Sequence, residues 1–187
     1  MYDIAIIGAG PAGSSAALFA AKAGKKTLVV DSDKSMTKRA WVDNHYGVEG
    51  ISGPDLLEIG RKQATKFGAE WITNMVTEIT NEENHFTIET ENGSFEAQQI
   101  ILATGVSTNL SEKLDLKTKD GTEPRIKTVF DVDAQGKTSV PGIWAAGTAA
   151  GVSVHTIITA GDGAKVAINV ISELNGQRYV DHDLLRS

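Results

Sequence analysis

The first residues run as a short apolar stretch straight into Gly8-Ala9-Gly10-Pro11-Ala12-Gly13. Three glycines at this spacing, followed by an alanine-rich segment, leave a folding chain few choices. Tyr2 to Ile7 reads as a buried parallel strand and Pro11 to Ala23 as a close-packed helix ended by Gly24. Thr27 to Val30 is again apolar and β-branched, so residues 2 to 31 make one βαβ unit closed by Asp31. In such a unit Gly8 permits the tight turn, Gly10 lets the backbone approach a pyrophosphate, and Gly13 lets the helix sit on the strands. Backbone N–H groups and the helix dipole supply the positive potential, which explains how a chain of net charge −6 can hold an anionic dinucleotide. The Asp31 carboxylate stands where it can accept both hydrogen bonds of the adenosine ribose. Taken alone, these residues allow either NAD or FAD.

Ser32 to Gly53 is polar and glycine-bearing without a sustained period, and reads as a long connection over the surface or the ligand. Ser52-Gly53-Pro54 starts a second helix, with Leu56, Leu57, Ile59, Gln63, Ala64 and Phe67 at helical spacing before Gly68. Ala69 to Thr73 reads as a third strand. The alternation through Val76, Ile79, Phe86, Ile88 and Phe95, turned at Asn92-Gly93, predicts a small antiparallel meander beside the main sheet. Gln99 to Thr104 and Gly142 to Ala146 are strongly apolar and read as central strands. Thr156 to Leu174 carries one apolar stripe, as a helix packed on a sheet does, and Gly176 caps it. The fold expected is a three-layer α/β Rossmann-like domain, with a central parallel sheet and a small antiparallel meander. Residues 1–187 are read as a single domain.

Composition removes several classes of function. No basic cluster extends beyond Lys34 to Arg39, which argues against a nucleic-acid partner. The sequence holds no cysteine, so it has neither a disulfide nor a dithiol of its own. No segment approaches the roughly 20 apolar residues that span a bilayer, and no signal-like lead precedes the first strand, so a cytoplasmic location without membrane contact is expected. The acidic pairs Glu82-Glu83 and Asp181-Asp183 read as a solvated turn and tail, and no metal-ligand spacing occurs.

Three further blocks join the fingerprint. They are Val42-Asp43-Asn44-His45-Tyr46-Gly47 with Gly50-Ile51-Ser52-Gly53-Pro54-Asp55-Leu56, then Ile100-Ile101-Leu102-Ala103-Thr104-Gly105, then Thr138-Ser139-Val140-Pro141-Gly142-Ile143-Trp144-Ala145-Ala146-Gly147. In this order they resemble the FAD-binding part of the low-molecular-weight thioredoxin reductases, within the pyridine nucleotide-disulfide oxidoreductases. The resemblance covers most of the chain and implies FAD rather than NAD. It implies a cofactor site made of Gly8, Gly10, Pro11, Ala12, Gly13, Asp31, Asn44, Val76, Ala103, Thr104, Gly105, Gly147, Thr148, His155, Thr156 and Ile157. Gly147 and Thr148 would lie near the ribityl chain and pyrophosphate, and the helix from Thr156 would point its N-terminus at the flavin pyrimidine ring. Aligned N–H dipoles there stabilise the negative charge of a reduced flavin. The resemblance also implies a homodimer.

The sequence departs from that family in three places. The family inserts an NAD(P)H domain with its own glycine fingerprint and a CxxC pair between the second and third blocks, whereas here the space is a reduced insertion at 106–137 with neither. Thr148 stands where the family has an acidic residue. Val154-His155-Thr156 stands where it has tyrosine, arginine and glutamine. Any electrons would therefore come from an external donor, a reductase or diffusing NAD(P)H, unless the chain is a non-enzymatic FAD module, a sensor, or a subunit completed by a partner chain. His155 and His45 are the candidate proton-transfer groups, since imidazole is suited to that work at neutral pH. A polar cap or surface position for His155, and stacking or solvent exposure for His45, are the competing roles.

Overall fold

The computed structural model describes residues 1–185. Its strands are β1 (Tyr2–Ile7), β2 (Thr27–Asp31), β3 (Trp41–Val42), β4 (Ile51–Ser52), β5 (Glu70–Thr73), β6 (Val76–Asn81), β7 (Phe86–Thr90), β8 (Gly93–Leu102), β9 (Thr118–Asp120), β10 (Thr128–Phe130) and β11 (Ile143–Ala145). Its helices are α1 (Pro11–Lys22), α2 (Gly53–Lys66) and α3 (Thr156–Asn175), with one-turn 3-10 helices at Met36–Arg39 and Gly147–Ala150.

One seven-stranded sheet organises the chain, in the order β5-β2-β1-β8-β7-β6, with β11 also paired to β8. Strands alternate their side chains between faces, and the two faces carry separate cores. Ile4, Ile6, Val29, Ile101 and Trp144 face α1 and α3, where alanines of α1 and Val166, Val170 and Ile171 of α3 close the layer. Ala5, Ile7, Leu28, Val30, Ile100 and Leu102 face the other way, onto Leu114, Leu116, Phe130 and the meander residues Ile79, Phe86 and Ile88. The expected three-layer α/β arrangement is therefore what these residues form.

Two expectations need correction. The meander does not sit beside the main sheet, because β8 is one continuous strand. Its first half pairs antiparallel with β7, from Thr90↔Gly93 to Phe86↔Ala97, and its second half pairs parallel with β1, from Ile4↔Gln99 to Ile7↔Leu102. The turn at Asn92-Gly93 thus feeds straight into the central strand. Nor is β11 central: among the described residues it pairs with β8 alone in the sheet, and its other side carries the isolated bridge Lys137↔Trp144. It reads as central because it is fully buried by the layers above and below.

The polar connection after β2 is also more ordered than its composition suggests. It contains the 3-10 turn Met36–Arg39 and the antiparallel pair β3–β4. The Gly53 N–H donates to the Ala40 carbonyl at 2.9 Å, and the Gly53 Cα lies so close to the Thr37 carbonyl that a β-carbon would collide with it. Ser52 caps α2, its Oγ accepting the Asp55 N–H at 3.2 Å and donating to the Asp55 carboxylate at 2.6 Å. Ser52→Ala removes that cap and is expected to lower stability by about 1 kcal/mol in a urea titration. The acidic tail is not simply solvated either, since Lys22 at the end of α1 pairs with Asp181 at 2.8 Å and Asp183 at 2.7 Å.

Candidate functional site

Parallel pairing aligns the carboxyl ends of four strands. Ile7 lies opposite Val30 and Leu102, and Leu102 lies opposite Ala145. The residues that follow therefore share one edge: Gly8 after β1, Asp31 at the end of β2, Ala103-Thr104-Gly105 after β8, and Ala146-Gly147-Thr148 after β11. This edge is where open α/β sheets bind ligands. The Ala103 N–H donates to the Ile7 carbonyl at 2.8 Å and the Ala146 N–H to the Leu102 carbonyl at 3.0 Å, so hydrogen bonding continues one residue past the strands.

Glycines are required here by close approach. A β-carbon on Gly8, at φ +97, would strike the Ala103 carbonyl, and one on Gly13 would strike the Gly8 carbonyl, 2.9 Å from its carbon. The turn from β1 into α1 is thus packed against its own helix and against the strand end at Ala103.

The three helix N-termini are treated differently. That of α2 is capped internally by Ser52 and Asp55. Those of α1 and α3 have no side-chain cap and no acidic residue in the first turn. Among the described residues, the N–H groups of Ala9, Gly10, Ala12 and Gly13 meet no acceptor, and the same holds for Thr156 and Ile157. An uncapped N-terminus carries a partial positive charge and several orphan donors, which is the natural setting for an anion. Pro11 at the first helical position has no N–H to orphan. Ser14 turns its hydroxyl inward, donating to the Ala9 carbonyl at 3.1 Å.

Asp31 is half-buried, and one of its oxygens accepts the Asp33 N–H at 3.0 Å. Burial is the largest influence on it and raises its pKa above the ordinary 3.8, against the lowering effects of the Asp33 N–H, Lys38 and Arg61. The raised native value means that ionising Asp31 costs the apoprotein stability as pH rises from 3.8 through that value. An ionised carboxylate is a stronger acceptor for ribose hydroxyls than its protonated form. Cofactor affinity is therefore expected to fall as pH drops through the same window, while Asp31→Asn binds weakly throughout it; fluorescence titrations at stepped pH check both. The Asn74 N–H donates to the Asp31 carbonyl at 2.9 Å, which places Val76, two residues on, near this end of the edge.

The remaining candidates divide. Thr104 donates its hydroxyl to the Ser107 carbonyl at 2.6 Å and Gly105 adopts φ +66, so this segment turns away after touching Gly8. Asn44 is exposed and makes no hydrogen bond among the described residues. His45 Nδ1 lies 3.0 Å from Thr156 Oγ1, so the loop between β3 and β4 reaches the start of α3. His155 caps α3 with its backbone only, its carbonyl accepting the Ile158 and Thr159 N–H groups at 3.0 Å. Its exposed ring lies 2.8 Å from Ser153 Oγ instead. Of the two imidazole rings, that of His45 is the one that meets α3, at Thr156.

Sequence reasoning missed two residues of this edge. A β-carbon on Gly163 would meet the Ala12 carbonyl carbon at 2.7 Å, so Gly163 is what lets α3 approach the fingerprint turn of α1. Ser35 stands 3.3 Å from where a Gly10 β-carbon would be, which brings the 3-10 segment to the same turn. The small residues Gly161 and Gly163 in α3 were the available signal for the first. The second had none, because Ser35 lies in a stretch without periodicity.

The fold and this edge define a Rossmann-type dinucleotide-binding protein. Residues 52–164, more than half of the chain, match the family model for pyridine nucleotide-disulphide oxidoreductases, and residues 3–41 match that for an FAD binding domain. The chain belongs to the pyridine nucleotide-disulphide oxidoreductase family, and its cofactor is FAD. It is 40% identical over 110 residues to a thioredoxin reductase of Aquifex aeolicus (strain VF5), covering 56% of this chain and 34% of that protein. Against a thioredoxin reductase of Peptoclostridium acidaminophilum it is 36% identical over 115 residues, 59% of this chain and 36% of that one. The matches span about a third of the length of these relatives. A thioredoxin reductase structure from Gloeobacter violaceus superposes with a TM-score of 0.82 at 19% identity, covering 99% of both chains, and shares the fold. The uncapped helix ends, the glycine contacts and the Asp31 carboxylate all fit FAD.

Proposed function

We propose that residues 1–187 act as one FAD-binding domain of a flavin oxidoreductase whose electrons arrive from outside the chain, from diffusing NAD(P)H or a separate reductase, and leave to an acceptor. The observation that carries this reading is the pair of uncapped helix N-termini, α1 and α3, on the edge formed by the carboxyl ends of the parallel strands. Residues 106–137, by contrast, fold into turns and the β9–β10 ribbon in place of a second βαβ unit. Bound FAD supplies two-electron redox chemistry. The chain's share is to hold the pyrophosphate on the Ala9, Gly10, Ala12 and Gly13 amides, the ribose on Asp31, and the ribityl chain near Gly147 and Thr148. The Thr156 and Ile157 amides, joined by His45 through Thr156, would face the flavin and stabilise added negative charge. His45 is the better placed of the two candidate proton-transfer groups.

The test is direct. Protein reconstituted with FAD is mixed anaerobically with NADH, NADPH or a reductase, and the visible flavin band is followed. Bleaching faster than that of free FAD is expected, and an equal rate with every donor would sink the enzymatic reading.

Exposed side chains favour a second reading, in which the chain is a module completed by another polypeptide. Tyr46, Val154, Ile157 and Ile158 are exposed apolar residues in the segments joined by the His45–Thr156 contact. Such a polypeptide would supply the NAD(P)H site that residues 106–137 do not, the homodimer implied by the resemblance is a separate expectation, and a cytoplasmic location goes with both readings. Sedimentation of the FAD-loaded protein as a monomer that still turns over would count against this second reading.

A further inference from the structure

One buried carboxylate belongs to none of the roles above. Asp162 lies in the second turn of α3 with its side chain only 7% exposed. Its Oδ2 accepts the Gly147 N–H at 2.8 Å, and its Oδ1 pairs with Lys165 Nζ at 2.6 Å. A buried carboxylate is tolerated only when its oxygens are satisfied, and here each has one partner. Gly147 is the residue at which β11 turns, with φ +73, and a β-carbon there would lie 2.7 Å from the Ala12 side chain. The carboxylate therefore grips the turn at the point where it touches the fingerprint helix. It does so across 15 residues of chain, and the residue after its partner is Thr148.

We infer that Asp162 is a positioning residue of the FAD site: by holding the Gly147 amide it sets where Thr148 presents its backbone and hydroxyl to the cofactor. The inference rests on FAD binding at this edge. A carboxylate is the stronger acceptor for an amide that must not shift, since charge-assisted hydrogen bonds are shorter and roughly twice as strong as neutral ones. Among the described residues, Asp162 is the acceptor for the Gly147 N–H. A cavity of about 250 Å³, lined by Gly136, Ala145, Asp162 and Lys165 among others, lies beside the carboxylate. Truncating the side chain leaves the Gly147 N–H next to that space without a fixed acceptor.

The test compares Asp162→Asn with Asp162→Ala in the full chain, reading the FAD dissociation constant by fluorescence titration and the melting temperature of the apoprotein. Both variants lose the Lys165 ion pair and alanine also leaves the Gly147 N–H without its acceptor, so the apoprotein melting temperature is expected to fall in both and further in the alanine variant. Only asparagine keeps an oxygen that can accept the Gly147 N–H. Alanine is expected to raise the FAD dissociation constant on the order of tenfold, the worth of one hydrogen bond, and asparagine to stay within roughly threefold of the parent. If the alanine variant does not fold, Asp162→Ser gives the same comparison, since its shorter side chain cannot span to Gly147. Equal losses in both variants, or parental affinity in the truncated one, would overturn the inference. A parent protein that takes up no FAD would instead overturn the flavoprotein assignment.

Discussion

Gly13→Ala is expected to purify without FAD and to resist reconstitution. The added β-carbon would collide with the Gly8 carbonyl oxygen and lie 2.9 Å from its carbon and 3.3 Å from the Ala103 Cβ. None of these neighbours is a flexible side chain that can swing aside. Either the first turn of α1 withdraws from β1 or the Gly8 turn opens, and both changes re-aim the amides of Ala9, Gly10, Ala12 and Gly13 together. Hydrogen bonds to charged groups contribute about 1.5–3 kcal/mol each, so losing two well-placed contacts to the pyrophosphate raises the dissociation constant roughly 100-fold or more. A fluorescence titration reads this, with apoprotein circular dichroism confirming that the sheet survives. Tight FAD binding by Gly13→Ala would show that the fingerprint turn is not the anion site.

Gly163→Ala should act on stability first and cofactor second. Its β-carbon would collide with the Ala12 carbonyl oxygen and lie 2.7 Å from the carbonyl carbon and 2.8 Å from the Ala12 Cα. To reach ordinary van der Waals separation α3 must draw back by roughly 1 Å along its contact with α1. That opens the layer formed by Ala12, Ala16, Val166 and Ala167, all of them buried. Overpacking of this kind costs about 3 kcal/mol at the upper end of its usual range. Guanidinium titration of the apoprotein should show that loss. FAD affinity should fall as well, because Ala12 also touches Gly147 and the displacement passes to the β11 turn. Gly161, two residues away in the same helix and with nothing within 4 Å of its β-carbon position, is the control: alanine there should be neutral or mildly stabilising. Similar behaviour of the two variants would mean that helix propensity, not the α1–α3 contact, decides the outcome.

Much of the cofactor edge is legible locally. Gly8, Gly10 and Gly13 announce a turn and a helix start within six residues, and Asp31 follows at the end of the next apolar run. The apolar strands at Gln99 to Thr104 and Gly142 to Ala146 are visible because buried parallel strands are apolar on both faces. The histidines were harder to rank. His45 and His155 look alike in sequence, and only the fold shows that the β3–β4 loop carries His45 to Thr156 while the His155 ring turns to Ser153. The meander misled for a related reason: Phe95 and the apolar run after Gln99 read as two strands, because the alternation changes where β8 leaves β7 and becomes buried on both faces.

The glycine turn, the βαβ unit, the FAD blocks and the lack of any cysteine can be read from the chain alone, since each is a matter of residue type within a short span. Tertiary structure alone decided what lies next to what. Parallel register brought Gly8, Asp31, Ala103 and Gly147 to one edge, Gly163 let α3 close on Ala12, and Asp162 reached back to the Gly147 amide. These contacts join residues tens of positions apart, or in the last case cross a turn between two elements. Their distances are set by how helices pack on a shared sheet, and no local pattern in the chain encodes that.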